Sequence, residues 1–216
     1  MANRASRAAL VSGLLLLLSE IAFCVSGAQM TITIHSDAPI PQDVLEQATQ
    51  EASRIFHRAG VNSVWIACQH SNAGPSTPPD CLSQGDLTHL VLHIVPWASQ
   101  MGDSTFGVAF LSEEGVGTYS DVFYTPTEDL SRHCGASLGR VLGHVMAHEI
   151  GHLLLGTHSH GTVGIMRPQW QGEELRQIGM GTLLFTAEQT RTMHARLHTA
   201  SAVLVPGDTS GSRPGN

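Results

Sequence analysis

The sequence predicts an α+β fold: a mixed twisted sheet with an outer strand, an N-terminal helix, a central helix and a C-terminal helix. Three observations carry that expectation. Short segments of branched apolar residues, some alternating with polar ones, recur through the first half of the chain. Three longer segments repeat apolar residues at helical spacing. After Pro96 the glycine content rises, and short apolar pieces punctuated by Gly102, Gly107, Gly115 and Gly117 read as the outer strands of the sheet.

The chain of 216 residues opens with Arg4 and Arg7 before an apolar run at 8–18, which resumes at 21–25 and ends in Ser26-Gly27-Ala28. This pattern predicts a secretory signal peptide over residues 1–28, cleaved after about Ala28, and hence a secreted or periplasmic protein. Glu20 interrupts an apolar region already too short for a membrane span. Bulky Phe23 before Cys24 argues against a lipoprotein processing site. Residues 29–204 are expected to form a single domain, and residues 205–216, rich in Gly, Ser and Pro, a disordered tail.

Within the domain, Ile32 and Ile34 alternate with Thr31, Thr33 and His35 in a first strand. Pro41 opens a helix in which Val44, Leu45, Ala48, Ala52, Ile55, Phe56 and Ala59 recur at helical spacing, and Gly60 ends it. Strands are expected at 61–67 and 87–95, the second dense enough in branched residues to be buried on both faces. The outer strands follow at 106–111 and 118–124. From Ser137, residues Leu138, Val141, Leu142, Val145, Ile150, Leu153 and Leu154 form one wide apolar stripe that stops at Gly156. A loop runs through Met166 and Trp170. The last helix starts at Thr186, where Thr186 and Gln189 match a capping box, and runs through Met193 and Leu197.

Removing residues 1–28 takes two Arg and one Glu from a chain of net charge −7, leaving nine Arg, 17 acidic residues, no Lys and a formal charge of −8. No basic patch is present to neutralise phosphates, which excludes nucleic acid and stable association with anionic membranes. Of the three remaining cysteines, Cys68 and Cys81 are expected to form a disulfide around an irregular loop, which leaves Cys134 as an inert buried thiol or an additional metal ligand.

The central helix carries His148-Glu149-Ile150-Gly151-His152 at its C-terminal end, followed by His158 and His160. Helical positions four apart lie one above the other, so His148 and His152 can aim two imidazoles at one point while Glu149 flanks it. One Zn2+ suits that geometry. Glu149 is then placed to take a proton from a bound water and pass it to a leaving group.

This segment resembles the metzincin zinc peptidases, whose motif HExxHxxGxxH is followed by a methionine turn. Counting from His148, the eleventh position is His158, and Met166 follows eight residues later in Gly164-Ile165-Met166-Arg167-Pro168, a spacing similar to that of matrixins. The resemblance implies a metzincin-like zincin fold and a catalytic zinc held by His148, His152 and a third His above the Met166 turn. It also implies an outer strand that aligns an extended peptide. One departure leaves the third ligand open between His158 and His160. The family's turn glycine falls at Leu155 here, and Gly156 comes one residue later. A Leu is a poor choice for a positive-φ turn, so the break and the returning ligand can both slide. The segment is also similar to one in secreted bacterial proteins of unassigned function that carry a His at the position of His160.

A rival arrangement would take Glu173 or Glu174 as third ligand; otherwise these mark an exposed helix start. His144 is expected to pack rather than ligate, and His89 and His93, four apart in a strand, to be core or surface residues. The function read from this pattern is a secreted zinc-dependent endopeptidase, monomeric, acting on peptide or protein substrates. Two alternatives share the same residues: a non-catalytic secreted zinc-binding or interaction module, and a zinc hydrolase of non-peptide amides.

Overall fold

The computed structural model describes residues 28–68, 81, 86–97 and 105–203. The expected leader and tail fall outside these residues, except that Ala28 already opens the first strand. The elements run β1 (Ala28–Ser36), α1 (Gln42–Arg58), β2 (Val61–Cys68), β3 (His89–Val95), β4 (Gly107–Phe110), β5 (Tyr119–Phe123), α2 (Tyr124–Cys134), α3 (Leu138–Leu155), α4 (Gly172–Met180) and α5 (Ala187–Val203). The five strands form one mixed sheet in the order β2-β1-β3-β5-β4. β1, β2, β3 and β5 are parallel; β4 alone runs antiparallel, against β5.

Alternation along the parallel strands decides where the core lies. Ile32, Ile34, Leu90, Leu92, Ile94 and Val122 are buried in one cluster with Ala48, Ala52, Ile55 and Phe56 of α1 and with Val141, Leu142, Val145 and Ile150 of α3. Each Val, Leu, Ile or Phe among them contributes about 1.5–3 kcal/mol when fully removed from water. β3 is buried on this face only, its other positions being half-buried, so the expected burial on both faces does not hold. The dense branched residues of β3 matched a doubly covered strand because Val91 and Val95 also sit on the open face, as half-buried residues.

Only β4 is an edge strand of the two expected outside the core; β5 is interior, hydrogen-bonded to β3 and to β4. The segment at 118–124 also ends differently, because Tyr124 begins α2. That helix was not expected: its residues (YTPTEDLSRHC) are mostly polar, and only Pro126 in its first turn and left-handed Gly135 at its end mark it. The capping box at the start of α5 is present, with Thr186 N–H donating to Gln189 Oε1 at 2.9 Å and Gln189 N–H donating to Thr186 Oγ1 at 3.3 Å. Cys68 and Cys81 form the expected disulfide, and Cys134 is free. No helix among the described residues is long and apolar enough to cross a membrane.

Candidate metal centre and cleft

α3 delivers the site, and its two ends are fixed by local chemistry. Ser137 caps the start by accepting from the Arg140 N–H, and Gly156 ends the helix in the left-handed conformation at φ 66°, ψ 34°. One turn apart on the buried face, His148 and His152 bring their Nε2 atoms to 3.1 Å.

Their other ring nitrogens are already committed. His148 Nδ1–H donates to Ile165 O at 2.7 Å, and His152 Nδ1–H donates to Thr157 O at 2.8 Å. A carbonyl oxygen can only accept, so each neutral ring keeps its proton on Nδ1 and turns an Nε2 lone pair toward the other. Two lone pairs at 3.1 Å repel unless a cation or a proton lies between them. A tetrahedral zinc with bonds of about 2.0–2.1 Å spaces its ligand nitrogens by about 3.3 Å, so these side chains fit that ion.

The third imidazole of the cluster is that of His160. One nitrogen each from His148, His152 and His160 lie within 4.8 Å of one another, the single such group among the described residues. The His160 ring centroid is 5.4 Å from that of His148 and 4.9 Å from that of His152. His158 lines the same cleft but stands outside the group.

Gly156 explains the shift. Leu155 stays helical, and the break falls at the next residue, where the N–H groups of Gly156 and Thr157 both reach His152 O, at 2.9 and 3.4 Å. A Cβ at Gly156 would lie 2.4 Å from the Arg196 guanidinium, whose Nη2–H donates to Gly115 O at 2.7 Å. Arg196 of α5 therefore locks the turn against the loop ahead of β5.

Burial dominates the electrostatics. It pushes His148 down to about 3, helped by neighbouring His152 and opposed by the Ile165 hydrogen bond. It pushes His152 down to about 4 against the pull of Thr157 O, and it lowers His160, with His158 adding to the effect. All three rings are thus neutral lone-pair donors at pH 7. The same burial pushes Glu149, 5% exposed, up to about 8.

Around this cluster lies a cleft of about 420 Å³. One wall is the lead-in and first residues of β4, from Thr105 to Ala109; the other is Arg167 to Trp170. β4 approaches the carboxylate as closely as the absence of a side chain permits, since a Cβ at Gly107 would lie 2.5 Å from Glu149 Cγ. Met166 is fully buried, its Sδ placed 2.8 Å from where a Gly151 Cβ would be. The turn that holds it closes with Arg167 N–H donating to Gly164 O at 3.2 Å, and Gly164 has φ 75°. Trp170 Nε1–H donates at 3.1 Å to Ile165 O, the same oxygen that fixes His148, and the indole stacks on Phe106 at 6.4 Å.

The remaining candidates fall elsewhere. Glu173 and Glu174 occupy the first turn of α4, outside the histidine group. Glu173 is exposed and pairs with Arg176, whereas Glu174 is buried, contrary to the exposed helix start expected, because it caps the Gln171 N–H and binds Arg167. His144 is fully buried, with Nδ1–H donating to Arg140 O at 2.9 Å. His93 binds Asp37 Oδ2 and the Tyr119 hydroxyl, each at 2.9 Å, on the sheet face away from α1 and α3. Sequence reasoning missed Ile165 O, Gly107, Arg167 and Arg196. Backbone carbonyls leave no trace in a residue pattern, but Arg167, next to Met166, was visible.

No protein-family model and no curated protein matches this sequence. Among solved structures the chain is similar to archaemetzincin from Methanopyrus kandleri, at 17% identity and a TM-score of 0.47, over 80% of this chain and 98% of that one. It is similar to a zinc-dependent peptidase from Methanocorpusculum labreanum, at 16% identity and a TM-score of 0.48, over 75% and 99%. It is also similar to metalloproteinase-II from Bacteroides fragilis, at 14% identity and a TM-score of 0.44, over 79% and 54%. Likeness at this distance assigns no activity, which has to come from the site.

Proposed function

We propose that the chain is a secreted zinc-dependent endopeptidase of metzincin kind, with His148, His152 and His160 holding one catalytic zinc and Glu149 as general base and acid. The observation that carries this reading is the convergence of three neutral imidazoles on one point beside a buried carboxylate and an open strand edge. A zinc bound there supplies a Lewis acid for the scissile carbonyl and lowers the pKa of its water.

The protein's own groups do the rest. Burial alone favours the protonated form of Glu149, but a cation at the histidines would restore its carboxylate, which would then take a proton from the attacking water and return it to the leaving amine. The outer side of β4 has backbone groups unpaired by any other strand of the sheet, which can pair with an extended peptide. Gly107 then places that peptide beside Glu149 without an intervening side chain. Ile165 O keeps the His148 ring in its orientation, and buried Met166 packs beneath Gly151, the residue before His152. The leader-like residues 1–28 support secretion.

The test is zinc stoichiometry together with chelator-sensitive cleavage of unstructured peptides, in the wild type and in Glu149→Gln. One equivalent of zinc in both proteins, with turnover only in the wild type, is expected. Full turnover by Glu149→Gln refutes the assignment of Glu149. Zinc binding by the wild type without cleavage across a broad peptide library replaces the peptidase by a zinc-binding module.

A further inference from the structure

The cleft has one charged feature that hydrolysis itself does not use. Among the residues lining it, Arg167 is the single permanent cation, and Glu149 the single acid. This is notable in a chain with only 11 basic residues, none of them Lys, and a net charge of −7. In an acidic chain, a guanidinium among the cleft-lining residues offers an anionic group a partner that the net charge does not supply.

Arg167 is held rather than loose. Its N–H closes the Gly164 turn, and Pro168 follows it, so its backbone is restrained. Its Nη1–H donates to Glu174 Oε1 at 2.7 Å, the sole hydrogen bond of the guanidinium among the described residues. Its side chain is 41% exposed, while that of Glu174 is 9% exposed and lies behind it, outside the cleft lining.

Glu174 spends its second oxygen on the Gln171 N–H at 3.2 Å and sits at the start of α4, where the helix dipole compensates a carboxylate. Glu174 therefore engages Arg167 through one oxygen only. Of the five N–H donors of the guanidinium, Glu174 occupies one. The donors that remain have the fork geometry that receives a second carboxylate, and Arg167 lines the cleft.

We propose that Arg167 is the specificity-determining residue of the cleft and selects peptides that carry a carboxylate beside the scissile bond, from an acidic side chain or a free C-terminus. This deepens the peptidase reading and rests on it for the position of the scissile bond, but the binding preference stands on Arg167 alone. Hydrolysis proceeds as above; Arg167 adds no covalent step and moves no proton.

The test uses the full chain with one equivalent of zinc and a series of quenched peptides identical but for Glu, Gln or Lys at each position flanking the scissile bond. Each is made with a free and an amidated C-terminus. Binding of the same peptides to zinc-loaded Glu149→Gln is followed by fluorescence anisotropy, a readout independent of turnover. A Glu over Gln preference on the order of tenfold is expected at one position, the ratio that a partly exposed charge-assisted hydrogen bond gives. Lys should rank last, and Arg167→Glu should invert the order. If the preference follows the free C-terminus instead, the carboxylate comes from the chain end and the assignment of Arg167 stands.

Glu and Gln equal within about twofold at every position, with no effect of amidation, overturn the proposal, as does a ranking that survives Arg167→Glu. Because the peptide series is read in the wild type, a variant that fails to fold does not spare the proposal. Peptides cleaved without a carboxylate preference refute Arg167 selection alone. Ranked binding without any cleavage refutes the peptidase alone, and absence of binding refutes both.

Discussion

Gly156→Ala tests the turn that separates this site from the gap-free motif. The backbone there has φ 66°, which costs an L-residue about 1–2 kcal/mol. The new Cβ would also stand 2.4–2.6 Å from three atoms of the Arg196 guanidinium, which must move and so lose its 2.7 Å hydrogen bond to Gly115 O. A charged hydrogen bond of this kind contributes about 1.5–3 kcal/mol, taken at the low end because Arg196 is only part-buried. The smaller conformational freedom of Ala in the unfolded chain returns about 0.4–1 kcal/mol. The net loss is about 2–3 kcal/mol. Gly135→Ala is the matched control, because Gly135 has φ 68° with nothing within 4 Å of its missing Cβ, so it carries the backbone cost alone. Urea unfolding of the zinc-free proteins should therefore place Gly156→Ala about 1–2 kcal/mol below Gly135→Ala. Its zinc affinity should fall about 10–100-fold through displacement of Thr157 O from His152 Nδ1, while that of Gly135→Ala should not change. Equal stabilities within about 0.5 kcal/mol, or an unaltered zinc affinity in Gly156→Ala, would refute the role given to Arg196 and the turn.

Three further outcomes follow from the geometry. His160→Ala should abolish stoichiometric zinc binding in a chelator competition, whereas His158→Ala should retain it; the reverse pattern restores the gap-free ligand set. His144 is buried and held below its ordinary value of 6.5, burial outweighing Arg140 O and Glu51. The unfolded chain then binds a proton at His144 that the folded chain does not, so stability falls as pH drops below 6.5. Unfolding at pH 7 and pH 5 should show a steeper loss in the wild type than in His144→Leu, and parallel slopes would remove His144 from the acid response. Gly107→Ala should lower kcat/KM on unstructured peptides at least tenfold with zinc content intact, because its Cβ meets both Glu149 Cγ and Asp121 O; wild-type turnover in that variant would sink the close approach of β4 to the carboxylate.

Most of the fold was legible because amphipathic spacing and glycine stops act locally. Gly60 and Gly156 end α1 and α3 where left-handed backbone is needed, and Thr186 with Gln189 starts α5. α2 was not legible, since its short polar face earns stability from packing on α3 rather than from its own pattern. β3 was read as covered twice because composition counts branched residues without saying which face they cover. At the site, the HExxH spacing fixed which helix face His148 and His152 share, and Leu155 followed by Gly156 gave reason to weigh His160 against His158. The orientation of the rings was beyond the sequence. It depends on Ile165 O and Thr157 O, which any residue type could have supplied.

Ile165 O accepts from both His148 and Trp170, so the floor of the metal centre and the wall of the cleft hang from one atom. The wall is therefore not an exchangeable module. Grafting a foreign segment over residues 165–170 to change what the cleft accepts would also move the His148 ring. Selectivity can drift independently of metal chemistry only through side chains such as those of Arg167 and Gln169, which reach the cleft without holding a ligand.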